Sequence, residues 1–146
     1  MKQFRQLAPG DITTLDLVAR FWIGPDLSLR HPILAQLYVD KLLQEHSRFL
    51  PEVNETIAIT LIRNGRYKES LERCQELLIH PTILSYGYGL ACQTLCQANL
   101  GNLAEAQISL DTLSRWERPE LKDAKRVLEL QSLILESELA LRGKQP

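Results

Sequence analysis

A short phrase that occurs twice sets the terms for what this chain can fold into. The first copy reads Asn64-Gly65-Arg66-Tyr67-Lys68-Glu69-Ser70-Leu71, and the second Leu100-Gly101-Asn102-Leu103-Ala104-Glu105-Ala106. Each has a Gly turn, a large residue two positions on and a small residue five positions on. Each closes one apolar helical pattern and opens another. Small residues let two antiparallel helices close, and glycine permits the tight turn between them. Gly65 and Gly101 stand 36 residues apart, so the phrase predicts helical hairpins stacked in series.

Apolar spacing extends this pattern in both directions. Pro9-Gly10 is a turn signal and Asp11 a helix cap, followed by Ile12, Leu15, Val18, Ala19 and Trp22 on one face. Gly24-Pro25-Asp26 stops that helix. Pro32 opens a second, with Ile33, Leu34, Leu37, Tyr38, Lys41 and Leu42 running to about His46. Leu50-Pro51-Glu52 marks a third start. Residues 56–62 are β-branched and suit a strand on propensity alone, but the register of the phrase and the helical neighbours place them on a helix stopped at Asn64-Gly65.

Tyr67, Leu71, Cys74, Leu77 and Leu78 stripe a fourth helix, which Pro81 closes, and Thr82 stands as a cap for the next. The fifth, residues 83–99, is rich in small residues (Gly87, Gly89, Ala91, Cys92, Cys96, Ala98), so neighbours can approach it closely. Ala106, Leu110 and Leu113 face inward on a sixth that ends at Trp116. Pro119-Glu120 begins a last helix, whose Leu121, Ala124, Val127, Leu128, Leu135 and Leu139 are expected to cover the exposed end of the stack. The chain is thus expected to be one all-α domain of seven helices. Residues 1–50 form a degenerate N-terminal hairpin, 52–118 two hairpins, and 119–142 a capping helix.

With 146 residues, 45% of them hydrophobic and 24% charged, the chain can bury a core without staples. Seventeen basic against eighteen acidic side chains give a net charge of −1, which argues against nucleic acid as a partner. No apolar run approaches the ~18–20 residues that span a bilayer, so no membrane insertion and a cytoplasmic location are expected. Cys74, Cys92 and Cys96 are odd in number and read as free thiols. Cys92 and Cys96 share a helix face, but lack the second close pair that a zinc site needs; no metal and no cofactor are expected. No phosphate loop, paired catalytic carboxylates or nucleophile elbow occurs, and the chain is read as a non-enzyme. The charges of residues 66–76 and the basic cluster Arg115, Arg118, Lys122, Lys125 and Arg126 mix with acids as solvated faces do.

The two phrases resemble tetratricopeptide-like repeats, whose period is about 34 residues. Together with the few repeats and the helical cap, they resemble the small tetratricopeptide-like chaperones of bacterial type III secretion, and most of all the needle-subunit chaperones of the YscG and PscG kind. The matching segments are Leu61-Ile62-Arg63-Asn64-Gly65-Arg66-Tyr67, then Pro81, then Tyr88-Gly89-Leu90-Ala91-Cys92 leading to Leu100-Gly101. Asn54 and Leu90 stand where the repeat consensus has Trp, and Ser70 replaces a helix-closing Ala. Translocator chaperones of the SycD kind are the alternative, since their repeats also read Gly-x-Leu-Ala-Glu-Ala.

The resemblance implies a cytosolic chaperone or adaptor. A groove lined by the leading helices of the hairpins would clamp an amphipathic helix of a secreted subunit until export, preventing its premature self-assembly. It also implies a second small helical co-chaperone. On the expected register, the partner-binding positions are Glu55, Ile59, Ile62 and Arg63 in one hairpin and Tyr88, Ala91, Cys92 and Leu95 in the next; the same residues would serve equally as core between hairpins. A scaffold docking a peptide terminus, with Arg63 holding its carboxylate, is the expectation from another class. A sheet through residues 56–62, or a groove with no room for a guest, would remove the expectation of a chaperone with an open groove.

Overall fold

The computed structural model describes residues 11–120 and 123–144; the Pro9-Gly10 turn, Leu121 and Lys122 lie outside them. Among the described residues there are seven α-helices and no strand. These are α1 (Ile12–Phe21), α2 (Pro32–Glu45), α3 (Pro51–Arg63), α4 (Tyr67–Leu77), α5 (Leu84–Asn99), α6 (Leu103–Arg115) and α7 (Ala124–Lys144), with a 3-10 turn at Leu27–Leu29.

The repeated phrase is a repeated helix stop. At the end of α3 the Gly65 N–H donates to the Ile62 carbonyl (3.0 Å) and the Arg66 N–H to that of Leu61 (2.9 Å). At the end of α5 Gly101 donates to Ala98 (3.2 Å) and Asn102 to Gln97 (2.8 Å). This pair of bonds satisfies the last orphan carbonyls and requires a left-handed residue between them. Gly65 and Gly101 supply it, with φ of 72° and 83°. Asn64 adds a tie between hairpins: its amide donates to the carbonyls of Thr60 and of Pro32, each at 3.0 Å.

Residues 56–62 are helical because burial outweighs propensity. Every residue of α3 from Val53 to Ile62 is buried, and the few tenths of a kcal/mol that each β-branched residue costs in a helix are small beside that packing. Consecutive helices pack as antiparallel hairpins, as the buried Ser70 hydroxyl of α4 shows by donating to the Ala58 carbonyl of α3 (2.8 Å). The small residues of α5 allow the close approach expected of them. A Cβ on Gly89 would lie 2.8 Å from Cβ of Leu77, and one on Gly87 2.4 Å from the Trp116 ring. Trp116 is itself pinned by its indole N–H to the Pro81 carbonyl (2.7 Å).

The three leading helices α1, α3 and α5 lie side by side and form a trough. Asp16 and Arg20 of α1 face the start of α3, and Ile23 and Pro25 its end, so α1 and α3 run parallel. α7 packs mainly on α5 and only lightly on α6. It therefore lies over the leading-helix side instead of extending the stack.

Three local expectations need correction. Thr82 gives no cap; α5 begins after Ile83 with no side-chain cap bond. α7 begins at Ala124, with the Asp123 carboxylate accepting from the N–H of Lys125 at 3.0 Å. Its buried face is Leu130, Leu133, Ser137 and Leu141, whereas Leu128, Leu135 and Leu139 are exposed. Likewise α2 buries Ala35, Val39 and Leu42 and turns Ile33 and Leu37 outward. Both helices are apolar on more than one side, so periodicity alone does not choose the face.

Candidate functional site: a trough filled by its own helix

The trough takes its polarity from charges set inside apolar runs. Glu55 is the sole charged residue among residues 53–62 and is fully buried. Arg20 reaches it from α1 (2.9 Å) and Arg126 from α7 (2.7 Å), while Ser85 of α5 donates to its other oxygen. Arg20 also donates to the Glu52 carbonyl (3.0 Å) and to the Glu129 carboxylate of α7. Between the two arginines lies the ring of Tyr88, its centroid 5.4 Å from the Arg20 guanidinium and 5.3 Å from that of Arg126. Cations over an aromatic face are attracted by its quadrupole. The Tyr88 hydroxyl donates to Glu129 (2.7 Å).

A second cluster lies further along α7. Arg63 grips Glu136 with two parallel bonds of 2.6 and 2.9 Å, the bidentate fork that favours arginine over lysine. Arg30 adds a third bond at 3.1 Å. Beyond it, the buried Ser137 hydroxyl lies 2.8 Å from the Ala91 carbonyl of α5, and Leu141 packs with Ala98 and Ala106. From Arg126 to Leu141, successive α7 residues meet successive residues of α3 and α5, so α7 runs parallel to both. The crevice left among Ile23, Pro25, Ile59, Arg63, Glu129, Ser132 and Leu133 is about 10 Å³. That is room for about one water and no side chain.

Titration follows the same geometry. Burial opposes the charge on Arg20, but the hydrogen bond to Glu129 and the charges of Glu55 and Glu129 outweigh it and hold the guanidinium protonated. Burial likewise works against Glu129, yet Arg20, Tyr88 and Arg126 keep its carboxyl below the usual range. Burial and the Glu129 carboxylate push the Tyr88 phenol well above its ordinary value. Asp16, at the edge of the network, is held above its ordinary value by burial, against a Thr56 hydrogen bond and Arg20.

Of the residues expected to line the groove, Glu55, Arg63, Tyr88 and Ala91 meet α7 directly, and Ile59 borders the crevice. Ile62 and Leu95 are buried in the main core. Cys92 faces the other way: with Cys96 it meets Cys74 of α4. α5 is buried on nearly every side, so periodicity cannot tell its trough face from its hairpin face. The three thiols are free and buried; contact with Cys92 and Cys96, together with burial, pushes the Cys74 thiol up. Among the described residues no group of three or more His, Cys, Asp or Glu is placed to hold a metal ion, and no helix is long and apolar enough to cross a membrane.

Sequence reasoning missed Arg20, Arg30, Arg126, Glu129 and Glu136. Arg20 stands between Ala19 and Phe21, and Glu129 between two leucines. A charge within an apolar run was the available signal. Arg126 in particular belongs to the buried network and not to a solvated face.

The fold and site together define an all-α protein of helical hairpins whose leading helices carry a further helix on their shared face. No protein-family model, no curated protein and no solved structure matches the chain.

Proposed function

We propose that this protein is a helix-binding adaptor, non-catalytic, whose trough over α1, α3 and α5 accepts an amphipathic helix. One observation supports this above the others: the trough already holds such a helix, α7, through side chains of all three leading helices. Helix-in-groove recognition uses an apolar face read at i, i+3, i+4 and i+7; α7 buries Leu130, Leu133 and Ser137 at i, i+3 and i+7 and half-buries Ile134 at i+4. Among the described residues, the trough with α7 seated leaves no room for a guest, which removes the expected chaperone with a standing open groove. An open clamp is therefore not the resting state, and a partner helix must take the place of α7.

The resemblance of the Gly phrases offers a type III secretion subunit, a needle subunit first and a translocator second, as the source of that helix. A cytoplasmic chaperone of this kind would hold the subunit unassembled. Co-expression with needle and translocator subunits, followed by size-exclusion chromatography, tests it. Co-elution with one of them is expected. Failure with all of them removes the secretion partner and leaves the helix-binding adaptor to be tested by peptide, as below.

A second observation favours an additional docking face for a co-chaperone. Residues 17–37 expose Leu17, Phe21, Leu27, Leu29, Ile33 and Leu37, and a co-chaperone helix seated there would cover them.

A further inference from the structure

We infer that the trough reads its occupant by a charge code, and that a partner helix able to displace α7 carries the same code. The inference rests on the helix-binding role proposed above. The code is legible in α7: a cation at 126, acids at 129 and 136, and buried positions at 130, 133, 137 and 141, with the small Ser137 at the closest approach. The trough answers each charge. Glu55 takes the cation, Arg20 and Tyr88 the first acid, and Arg63 with Arg30 the second, seven residues on. The occupant is thus an amphipathic helix with two acids two turns apart on the flank of the apolar face it buries.

α7 is also the helix best suited to leave. Only four of its 21 residues are buried, against ten of 13 in α3. Its grip joins three buried leucines to ion pairs with α1 and α3, and those pairs add little net stability beside apolar packing of the same volume. A competing helix that repeats the pairs loses nothing electrostatic by exchange.

The test uses the full chain and a fluorescent peptide of residues 124–144, read by anisotropy. Glu136→Lys sets a cation against Arg63 and Arg30 and loosens α7. The variant is expected to bind the peptide at least tenfold more tightly than the unaltered chain, whose trough is occupied. A peptide carrying E129K and E136K is expected to bind the variant at least tenfold more weakly than the native peptide. Equal binding of the two peptides overturns the code while leaving the adaptor; no binding of either overturns both. If Glu136→Lys loses its helical circular dichroism, Glu136→Gln, which removes the charge and adds none, takes its place with the same expectations. Light scattering runs alongside, and a dimer exchanging α7 between copies would assign the trough to a second copy and overturn the partner reading.

Discussion

Glu55→Ala isolates the centre of the buried network. The carboxylate has no solvent exposure and accepts from Arg20, Arg126 and Ser85. Its removal leaves Arg20 with Glu129 and the Glu52 carbonyl, but takes away the ion-pair partner of Arg126. Breaking a buried pair from one side costs about 3–5 kcal/mol. The Arg20 and Arg126 side chains keep 17% and 26% of their surface exposed, so water reaches the released charges and the lower end applies, about 3 kcal/mol. Urea unfolding followed by circular dichroism measures this as a lowered midpoint at unchanged slope. The double variant Glu55→Met with Arg126→Met removes both charges and is expected to recover most of the loss, because the cost lies in stranding a charge. A loss below about 1 kcal/mol for Glu55→Ala, or a double variant as unstable as the two singles summed, would refute the reasoning.

The remaining predictions concern the seating of α7, the approach to α5 and acid. Leu133→Ala is expected to cost about 2–5 kcal/mol and Leu135→Ser less than about 0.5, since Leu133 is buried and Leu135 is not; equal effects in urea unfolding would mean α7 sits on another face. Gly87→Ala would put a Cβ 2.4 Å from the Trp116 ring, so the indole must leave Pro81, seen as a shift in tryptophan emission that is absent in Gly143→Ala, where the added Cβ meets nothing. The Glu129 carboxyl is held below its ordinary range, so its stabilisation is complete above an unfolded pKa of about 4.3 and is lost as pH falls through the folded value. Asp16 has the opposite sign, being raised by burial with Oδ1 unpartnered. Asp16→Asn is therefore expected to raise stability at pH 7, and the gain should vanish below about pH 3.9, where the unfolded aspartate is also protonated; a gain independent of pH would contradict this.

Much of the fold was legible because its punctuation is chemical. Gly65 and Gly101 mark helix stops that only a left-handed residue completes, and Pro32 and Pro51 mark helix starts. The helical state of residues 56–62 had to be taken from register, because local propensity points elsewhere. The site was legible in part. Glu55, Arg63 and Tyr88 stood out as polar or aromatic residues on helices otherwise committed to the core. What lay against them did not, because α7 is apolar at 127, 128, 130, 133, 134, 135, 139 and 141, and spacing alone gives such a helix several faces.

That surplus of apolar faces explains what the buried charges contribute. Turning α7 by about half a revolution, at ~100° per residue, would bring Leu128, Leu135 and Leu139 to the trough in place of Leu130, Leu133 and Leu141, with little loss of apolar contact. The same turn would carry Glu129 and Glu136 to the opposite flank and leave Arg63 without an acid, while Arg20 keeps Glu55 and the Glu52 carbonyl and Arg30 the Gly24 carbonyl. An unpaired buried charge costs several kcal/mol, whereas a made pair returns little net stability. The network thus acts chiefly by penalising the wrong face. A foreign helix meets the same penalty: an apolar segment without acids two turns apart could fill the volume and still be refused. Discrimination of this kind is a difference between affinities, so charge-reversed and native helices should separate far more clearly than the stability of the ion pairs alone would suggest.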